Sequence, residues 1–329
     1  MTNTWTRTGL LGAAVLLTVC FSVLALAETE ISSGANVPEG CKIIEGDIIV
    51  PIDFSFEDRG GLSTQGVFAT NWRPNGVVPY AFAADVTAAN QTNAINAMAE
   101  WEAVTHVDFV ARTTQSDYIR FINSDSNSSY VGRQGGRQDI EIYNWGSRFI
   151  VAHEVGHALG LWHEQSRSDR DTYITVNLGN IEDDKEHNFN RHDEADTYGP
   201  YDFDSVMHYG QCGFTICACP ASCTAITVDE PWHDDWQDAI GQRTHFSATD
   251  ILTIQMLYPE PGDTFVDKNY TGGTQNGSFL APYKTFTGGA AAVHAWGRVI
   301  IQPGTYTASA GLYTKAMTVR APRGGVLLK

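Results

Sequence analysis

Basic side chains are scarce in this chain: 21 Lys and Arg stand against 38 Asp and Glu, which gives a formal net charge of −17 at pH 7. An acidic surface repels phosphate backbones and anionic lipid, so the composition argues against a nucleic-acid-binding protein or a membrane-surface protein. Among the 329 residues, 43% are hydrophobic and 18% are charged, which is an ordinary globular composition. The length predicts one large domain or two smaller ones.

Long apolar runs are missing after residue 27. The one run of that kind covers residues 9–26, follows Arg7 and ends in small residues that flank Leu26. This pattern is typical of a secretory signal peptide over residues 1–27, cleaved after Ala27. A retained membrane anchor is the alternative, because the run is about long enough to span a bilayer, but the small-residue site favours the signal peptide. We therefore expect a secreted, extracellular protein with no membrane segment once the signal is removed.

Cysteine is sparse and unevenly placed. Of six cysteines, Cys20 lies in the predicted signal and Cys41 stands alone. The other four crowd into one short stretch: Cys212, Cys217, Cys219 and Cys223. In an exported protein this predicts a local pair of disulfides. A second metal site is the alternative, but the spacing is not that of two C-x-x-C pairs. Four cysteines allow three pairings, and the sequence does not choose among them.

The stretch from residue 28 to residue 66 has few helix or strand signals and ends in the Gly-rich, basic-flanked string DRGGLSTQG. That string is typical of an exposed, cleavable connector. Globular texture follows, with hydrophobic periodicity that predicts a helix over 88–105. Alternating patterns predict strands, which lie at 76–83, 107–112, 117–123 and 139–144.

A second change of composition follows Tyr258. The string PEPGD reads as a linker, and the chain beyond it is rich in Gly and Thr with short strand-like pieces. We therefore divide the chain after the signal into a pro-segment (28–66), a catalytic domain (67–259) and a β-rich C-terminal segment (260–329).

The string HEVGHALGLWH, which starts at His153, carries the main chemical signal. His153 and His157 are four residues apart, so on one helix they project from the same face and can share one Zn²⁺. Ser147 is a plausible start for this helix, and Gly160 ends it and permits the turn that returns His163 to the metal. Three protein ligands leave one coordination position open, which is typical of a catalytic zinc site.

Glu154, next to the first histidine, is placed to act as general base and then general acid. The alternative is that the short HExxH pattern arose by chance on a surface helix; the extended HExxHxxGxxH pattern is much rarer by chance. The string SVMHY places Met207 about 45 residues after the third histidine. A lone Met is usually core, but this spacing fits the Met-turn of metzincins.

These motifs resemble those of the astacin family of metzincin peptidases, over roughly residues 71–258. Glu164 follows the third histidine, an RxDRD run begins at Arg167, and Tyr209 lies two residues after the methionine. The resemblance implies an α+β fold with a twisted, mainly antiparallel sheet, an active-site helix and a Met-turn. It also implies a secreted zinc endopeptidase that acts on protein or peptide substrates in a cleft between two sub-domains.

The resemblance further implies roles for single residues. Tyr209 is expected to bind the zinc in the resting enzyme and to swing away to stabilise the oxyanion. Met207 is expected to pack beneath the metal, and Glu164 to tether the new N-terminus that activation exposes. Astacins are made as zymogens, and the string IIEGDI offers Asp47 as the pro-segment ligand to the zinc, with Ile44 where Phe is usual. The alternative is that Gly46-Asp47 is a simple turn.

An activating protease is expected to cut somewhere between Arg59 and Asn71. Two features depart from the family. The positions where its two disulfides are expected hold other residues, such as His106. The C-terminal segment resembles the opening of a right-handed parallel β-helix, and it either docks on the catalytic domain or belongs to a truncated product. Two rival functions remain: a non-catalytic binding module on the same fold, and a carbohydrate or surface-binding role for the C-terminal segment.

Overall fold

A computed structural model describes residues 37–54, 72, 76–193, 200–279, 281–308, 313–322 and 325–329. The expected signal peptide (1–27) and the expected cleavage region (59–71) lie outside these ranges. The strands are β1 (Cys41–Ile44), β2 (Ile48–Pro51), β3 (Val77–Phe82), β4 (Asp108–Ala111), β5 (Tyr118–Asn123), β6 (Ser129–Tyr130), β7 (Arg137–Ile142), β8 (Ile174–Val176), β9 (Ile226–Val228), β10 (Thr264–Val266), β11 (Arg298–Ile301), β12 (Gly304–Tyr306), β13 (Thr318–Arg320) and β14 (Val326–Leu328). The α-helices are α1 (Ala88–Val104), α2 (Arg148–Leu159), α3 (His233–Trp236), α4 (Ala248–Leu257) and α5 (Phe286–Ala292). Short 3₁₀ turns cover Glu164–Ser166, Arg170–Thr172, Leu178–Asn180 and Glu186–Phe189.

The predicted strands and helices of the catalytic region are confirmed as β3, β4, β5, β7, α1 and α2. Helix α1 begins after Thr87, whose side chain accepts a hydrogen bond from the backbone N–H of Asn90. Helix α2 follows Ser147 and ends at Gly160, which adopts the left-handed conformation with φ +117°. A residue with a side chain rarely takes this conformation, so glycine is what lets the chain turn sharply here.

The central sheet has the strand order β4-β3-β5-β7, and every pair in it is parallel. The α+β class is confirmed, but the expectation of a mainly antiparallel sheet is wrong for these strands. Parallel neighbours need a crossover connection, and α1 provides it between β3 and β4. The alternation of side chains along one strand carries no information on the direction of its neighbour, so the sequence could not show this.

The main hydrophobic core lies between the central sheet and helices α1 and α2. Trp101 on α1 is fully buried, and its Nε1 donates to the carbonyl of Ala152 on α2 at 2.9 Å. Its ring also stacks on Phe246 at a centroid distance of 3.6 Å. A second core lies around β8 and β9 and includes Tyr209, Phe189 and Phe214. Helix α2 thus packs on an apolar core.

Residues 37–54 form a small hairpin, which we call the N-terminal hairpin. Its strands β1 and β2 pair antiparallel, and β2 pairs in parallel with β6 of the catalytic domain, with Ile48 opposite Ser129. Ile48 and Val50 are buried against Trp162 and Val131. The hairpin is therefore packed into the catalytic domain.

The C-terminal segment consists of short parallel strands, in the orders β10-β11-β13 and β12-β14. Parallel stacking of successive short strands is the pairing that a β-helix requires. Phe265, Phe279 and Ile300 belong to the same buried cluster as the catalytic core. Where the two regions meet, Glu260 Oε1 lies 2.8 Å from His106 Nε2 and 2.9 Å from Arg298 Nη1. The segment therefore docks on the catalytic region. Among the described residues, no helix is long and apolar enough to cross a bilayer.

We predict that Phe265→Ala lowers the free energy of unfolding by about 3–5 kcal/mol, because it empties a fully buried ring site in the shared core. The control is Leu327→Ala, whose side chain is half exposed and which we expect to change stability by less than about 0.5 kcal/mol. Chemical denaturation followed by tryptophan fluorescence measures both values. Equal, small effects of the two substitutions would contradict the shared core.

Candidate metal centre

Helix α2 presents His153 and His157 from one face. Both imidazoles are buried, and their Nε2 atoms lie 3.1 Å apart. After the helix, the backbone N–H groups of Gly160 and Leu161 donate to the carbonyls of His157 and Gly156, which closes the turn. This turn brings His163 back, with its Nε2 3.3 Å from that of His153. The three histidines predicted from the sequence therefore meet at one point.

The N-terminal hairpin adds a carboxylate to the same point. Asp47 Oδ2 lies 3.3 Å from His153 Nε2, and Asp47 Oδ1 lies 3.3 Å from His163 Nε2 and 3.7 Å from His157 Nε2. The Oδ1 atom is buried and has no hydrogen-bond partner. The structure therefore places the carboxylate of Asp47 next to all three histidines.

These four residues fit a zinc ion. A tetrahedral site with bond lengths of about 2.0–2.1 Å has ligand atoms about 3.3–3.4 Å apart. His153 Nε2 lies 3.1 Å from His157 Nε2 and 3.3 Å from His163 Nε2, and the Asp47 oxygens lie 3.3–3.7 Å from the three Nε2 atoms. Three imidazole nitrogens and one carboxylate oxygen are also the ligand types that zinc prefers.

The other ring nitrogen of each histidine has a partner that fixes the ring. His153 Nδ1 donates to the carbonyl of Val206 at 2.8 Å, and His157 Nδ1 donates to that of Leu161 at 2.7 Å. His163 Nδ1 donates to the carboxylate of Glu45 at 2.8 Å. A carbonyl or carboxylate can only accept, so each Nδ1 carries a proton and each Nε2 faces the common point.

Burial and charge set the protonation of this cluster. Burial lowers the pKa of His153 to about 4 and also lowers that of His157, which keeps both rings neutral and able to bind metal. Burial opposes a charge on His163 as well, but the negative charge of Asp47 outweighs it and raises the pKa to about 9. Burial likewise opposes the charge on Asp47, yet the histidines lower its pKa. The centre therefore favours a cation next to this carboxylate.

The turn at residues 205–209 lies directly below the helix. A Cβ atom at Gly156 would come within 3.0 Å of the sulfur of Met207, so the methionine packs closely under the middle of α2. Asp250 on α4 anchors the turn, since its carboxylate accepts from Ser205 Oγ at 2.6 Å and from the backbone N–H of Val206 at 2.9 Å. The predicted Met-turn is thus present under the histidines.

Tyr209 lies beside the centre, with its ring centroid 4.6 Å from that of His163. Its hydroxyl donates to the backbone carbonyl of Glu45 in the N-terminal hairpin. Its backbone N–H donates to Gln165 Oε1 at 3.0 Å. In this arrangement the carboxylate of Asp47 lies next to the three histidine Nε2 atoms. The phenol of Tyr209 is hydrogen-bonded to the hairpin instead.

The two glutamates singled out from the sequence are both buried. Glu154 lies on α2 between the first two histidines. Glu164 Oε1 accepts from the backbone N–H of Asp202 at 2.8 Å and lies 3.3 Å from Arg167 Nη1. The tether role of Glu164 stays a prediction, because the N-terminus that it concerns arises only after cleavage.

The four clustered cysteines form the predicted local disulfides, with the pairing Cys212–Cys219 and Cys217–Cys223. Cys41 has a free thiol, 3.6 Å from the hydroxyl of Tyr130. The sequence could not choose this pairing, because all three pairings join cysteines that are close together in the chain.

Several residues of the site were not found from the sequence: Glu45, Asn188, His192 and Asp250. Glu45 stands two positions before the predicted Asp47 in the string IIEGDI, and its charge was the only local signal. Asn188 Oδ1 accepts from the backbone N–H of Gly46 at 2.9 Å, and His192 Nε2 contacts the Glu45 carboxylate. These contacts join residues more than 140 positions apart, and the periodicity of a sequence indicates only local structure, so it could not predict them.

Three imidazoles that meet at one point, with a glutamate next to the first of them on α2, are typical of the active site of a zinc-dependent peptidase. The sequence profile of the Astacin peptidase family matches residues 65–259. High choriolytic enzyme 1 from Oryzias latipes is 34% identical over 218 residues, which cover 66% of this chain and 77% of that protein. Human tolloid-like protein 1 is 34% identical over 269 residues, 78% of this chain but 25% of that protein.

The solved structure of High choriolytic enzyme 1, a hatching enzyme zinc-protease from the medaka fish, superposes with a TM-score of 0.52 at 35% sequence identity. It covers 57% of this chain and 93% of that chain. The present chain belongs to the astacin family. It is accordingly a metalloendopeptidase, and its cofactor is one zinc ion.

We predict that Asp250 makes stability depend on pH. Burial raises its pKa to about 6 from 3.8, so the folded chain keeps this proton over a range in which the unfolded chain has released it. This group's contribution is therefore largest below pH 3.8 and declines as the pH rises through 6, by roughly 3 kcal/mol.

The difference in unfolding free energy between the wild type and Asp250→Asn should therefore fall between about pH 4 and about pH 7. Denaturant titrations at several pH values measure it, with Asp183→Asn, a change at an exposed position, as the control. A difference that stays flat across this range would contradict the assignment.

Proposed function

We propose that the protein is a secreted astacin-type endopeptidase made as a latent zymogen. Residues 1–27 are the signal peptide, 28–66 the pro-segment, 67–259 the catalytic domain and 260–329 a β-rich appendage. The observation that carries the proposal is the carboxylate of Asp47, which projects from the N-terminal hairpin to within 3.3 Å of two histidine Nε2 atoms. A pro-segment residue in that position excludes both water and substrate from the metal.

His153, His157 and His163 would hold the zinc, and the carboxylate of Asp47 would be a further ligand in the latent chain. Once bound, zinc supplies Lewis acidity that polarises the peptide carbonyl and the attacking water. The carbonyls of Val206 and Leu161 keep the first two rings turned toward the metal through their Nδ1–H groups.

Glu154 moves the proton. Its carboxylate takes a proton from the attacking water and then delivers it to the nitrogen of the leaving amine, so the C–N bond breaks without releasing an amide anion. Tyr209 stabilises the negative oxygen that develops on the former carbonyl, because its phenol can donate a hydrogen bond to it. That phenol becomes available only when the carbonyl of Glu45 has left.

Backbone contacts hold the pro-segment in the cleft. Strand β2 lies beside β6, and the N–H of Ser129 donates to the carbonyl of Asp47 at 2.9 Å. A Cβ atom at Gly46 would lie 2.8 Å from Phe214 Cζ and 3.0 Å from the hydroxyl of Tyr209, so there is no room for a larger residue at this position. An activating protease that cuts between Arg59 and Asn71 detaches this segment. Strand β6 can then pair with an extended protein or peptide substrate.

We predict that Glu154→Gln keeps its zinc but lowers the rate of cleavage of a generic protein substrate by about 10²–10⁴-fold. The substitution preserves the size of the side chain and removes the group that accepts the proton. The measurement uses the processed form, with zinc content determined by atomic absorption. Removing the zinc from the wild type with a chelator should lower its cleavage rate by at least as much as the substitution does. Full activity of Glu154→Gln would overturn the role of Glu154.

We predict that Asp47→Asn makes the uncut chain partly active. An amide is a weaker partner for the centre than a carboxylate, and a loss of about 1.5–3 kcal/mol corresponds to a roughly 10–150-fold larger population with the pro-segment detached from the centre. Initial cleavage rates of the full chain measure this, with gel analysis to show that the pro-segment is still attached. Asp53→Asn, on the exposed end of the same hairpin, is the matched control. Equal latency of the two variants would contradict the role of Asp47.

A further inference from the structure

The three histidines differ in where their Nδ1 partners come from. Those of His153 and His157 are backbone carbonyls of the catalytic domain, which stay in place whatever happens to the N-terminal hairpin. The partner of His163 is the side chain of Glu45, which belongs to the hairpin. Detaching the hairpin therefore removes a carboxylate from the third ring in addition to the carboxylate of Asp47.

Glu45 is held firmly in this position. It is 1% exposed, and its second oxygen contacts Nε2 of His192. Its backbone adopts the left-handed conformation with φ +50°, which is uncommon for a residue with a side chain, and its carbonyl accepts from the hydroxyl of Tyr209. The side chain, the carbonyl and the turn thus all fix one orientation of the carboxylate toward His163.

We propose that Glu45 is a positioning residue that strengthens zinc binding in the latent chain by acting through His163. This proposal rests on the proposed zinc site and extends it. The hairpin blocks the centre with Asp47 and at the same time completes it with Glu45. The latent chain consequently holds zinc more tightly than the same chain after the hairpin has been removed.

The physical reason lies in the imidazole ring. A carboxylate that accepts the Nδ1 proton fixes the tautomer with its lone pair on Nε2, holds the plane of the ring and makes Nε2 more basic. A backbone carbonyl does the same more weakly because it carries no full charge. Removing such a partner from a metal-binding histidine commonly lowers metal affinity by about 10–100-fold.

The test measures the zinc dissociation constant of the full chain by competition with a chromophoric chelator. All proteins carry Glu154→Gln so that they cannot cut themselves. We expect Glu45→Gln, which keeps the size of the side chain and removes its charge, to bind zinc about tenfold more weakly. Glu39→Gln makes the same change of charge at an exposed position of the hairpin and should bind as the parent does.

Two further readings separate positioning from general damage to the fold. The cobalt(II) absorption spectrum of Glu45→Gln should shift, because the ring of His163 is less constrained, while Glu39→Gln keeps the spectrum of the parent. His192→Gln, which removes the second anchor of Glu45, should also weaken zinc binding. Combined with Glu45→Gln it should add little, since both changes act on the same carboxylate.

Equal zinc affinity and equal cobalt spectra for Glu45→Gln and Glu39→Gln would overturn the proposal. If Glu45→Gln does not fold, unchanged affinity in His192→Gln would overturn it instead. A failure of the zinc site itself has a different signature: the parent would bind less than one zinc, or His163→Ala would bind as the parent does.

Discussion

The contact between the carboxylate of Asp47 and three buried imidazoles is the interaction on which the rest of this molecule depends. A charge such as that of Asp47 is costly to remove from water unless a cation and well-placed partners compensate it. The histidine Nε2 atoms and the Asp47 oxygens lie 3.1–3.7 Å apart, and a zinc ion bound among them would supply this compensation. The hairpin, the active-site helix and the turn below it are all arranged to bring these four groups together.

The parts of the fold around the centre each fix the position of one of its groups. Gly160 reverses the chain so that His163 returns, and Asp250 holds the turn that presents the carbonyl of Val206 to His153. The central sheet and Trp101 keep α2 from shifting. Because these supports come from four separate parts of the chain, the geometry of the site is a property of the whole fold.

The sequence was sufficient where information is local. Helix α2, its end at Gly160 and the convergence of the three histidines follow from spacing alone, and the family resemblance added Asp47 and Met207. The parallel direction of the central sheet could not be predicted, since it depends on how distant strands pair. Glu45, Asn188, His192 and Asp250 were missed for the same reason: their roles arise from contacts across 44 to 147 positions of the chain.

The cross-links of this protein are short, since the two disulfides join cysteines only seven and six positions apart. Short loops remove less entropy from the unfolded chain than long ones, and these two do not link the core to any distant part of the chain. Distant parts of the described chain are joined without covalent bonds, and folding of the catalytic core therefore need not wait for an oxidant. Mispairing among the four clustered cysteines would distort only the 212–223 loop, and within the described ranges Cys41 is the one further thiol.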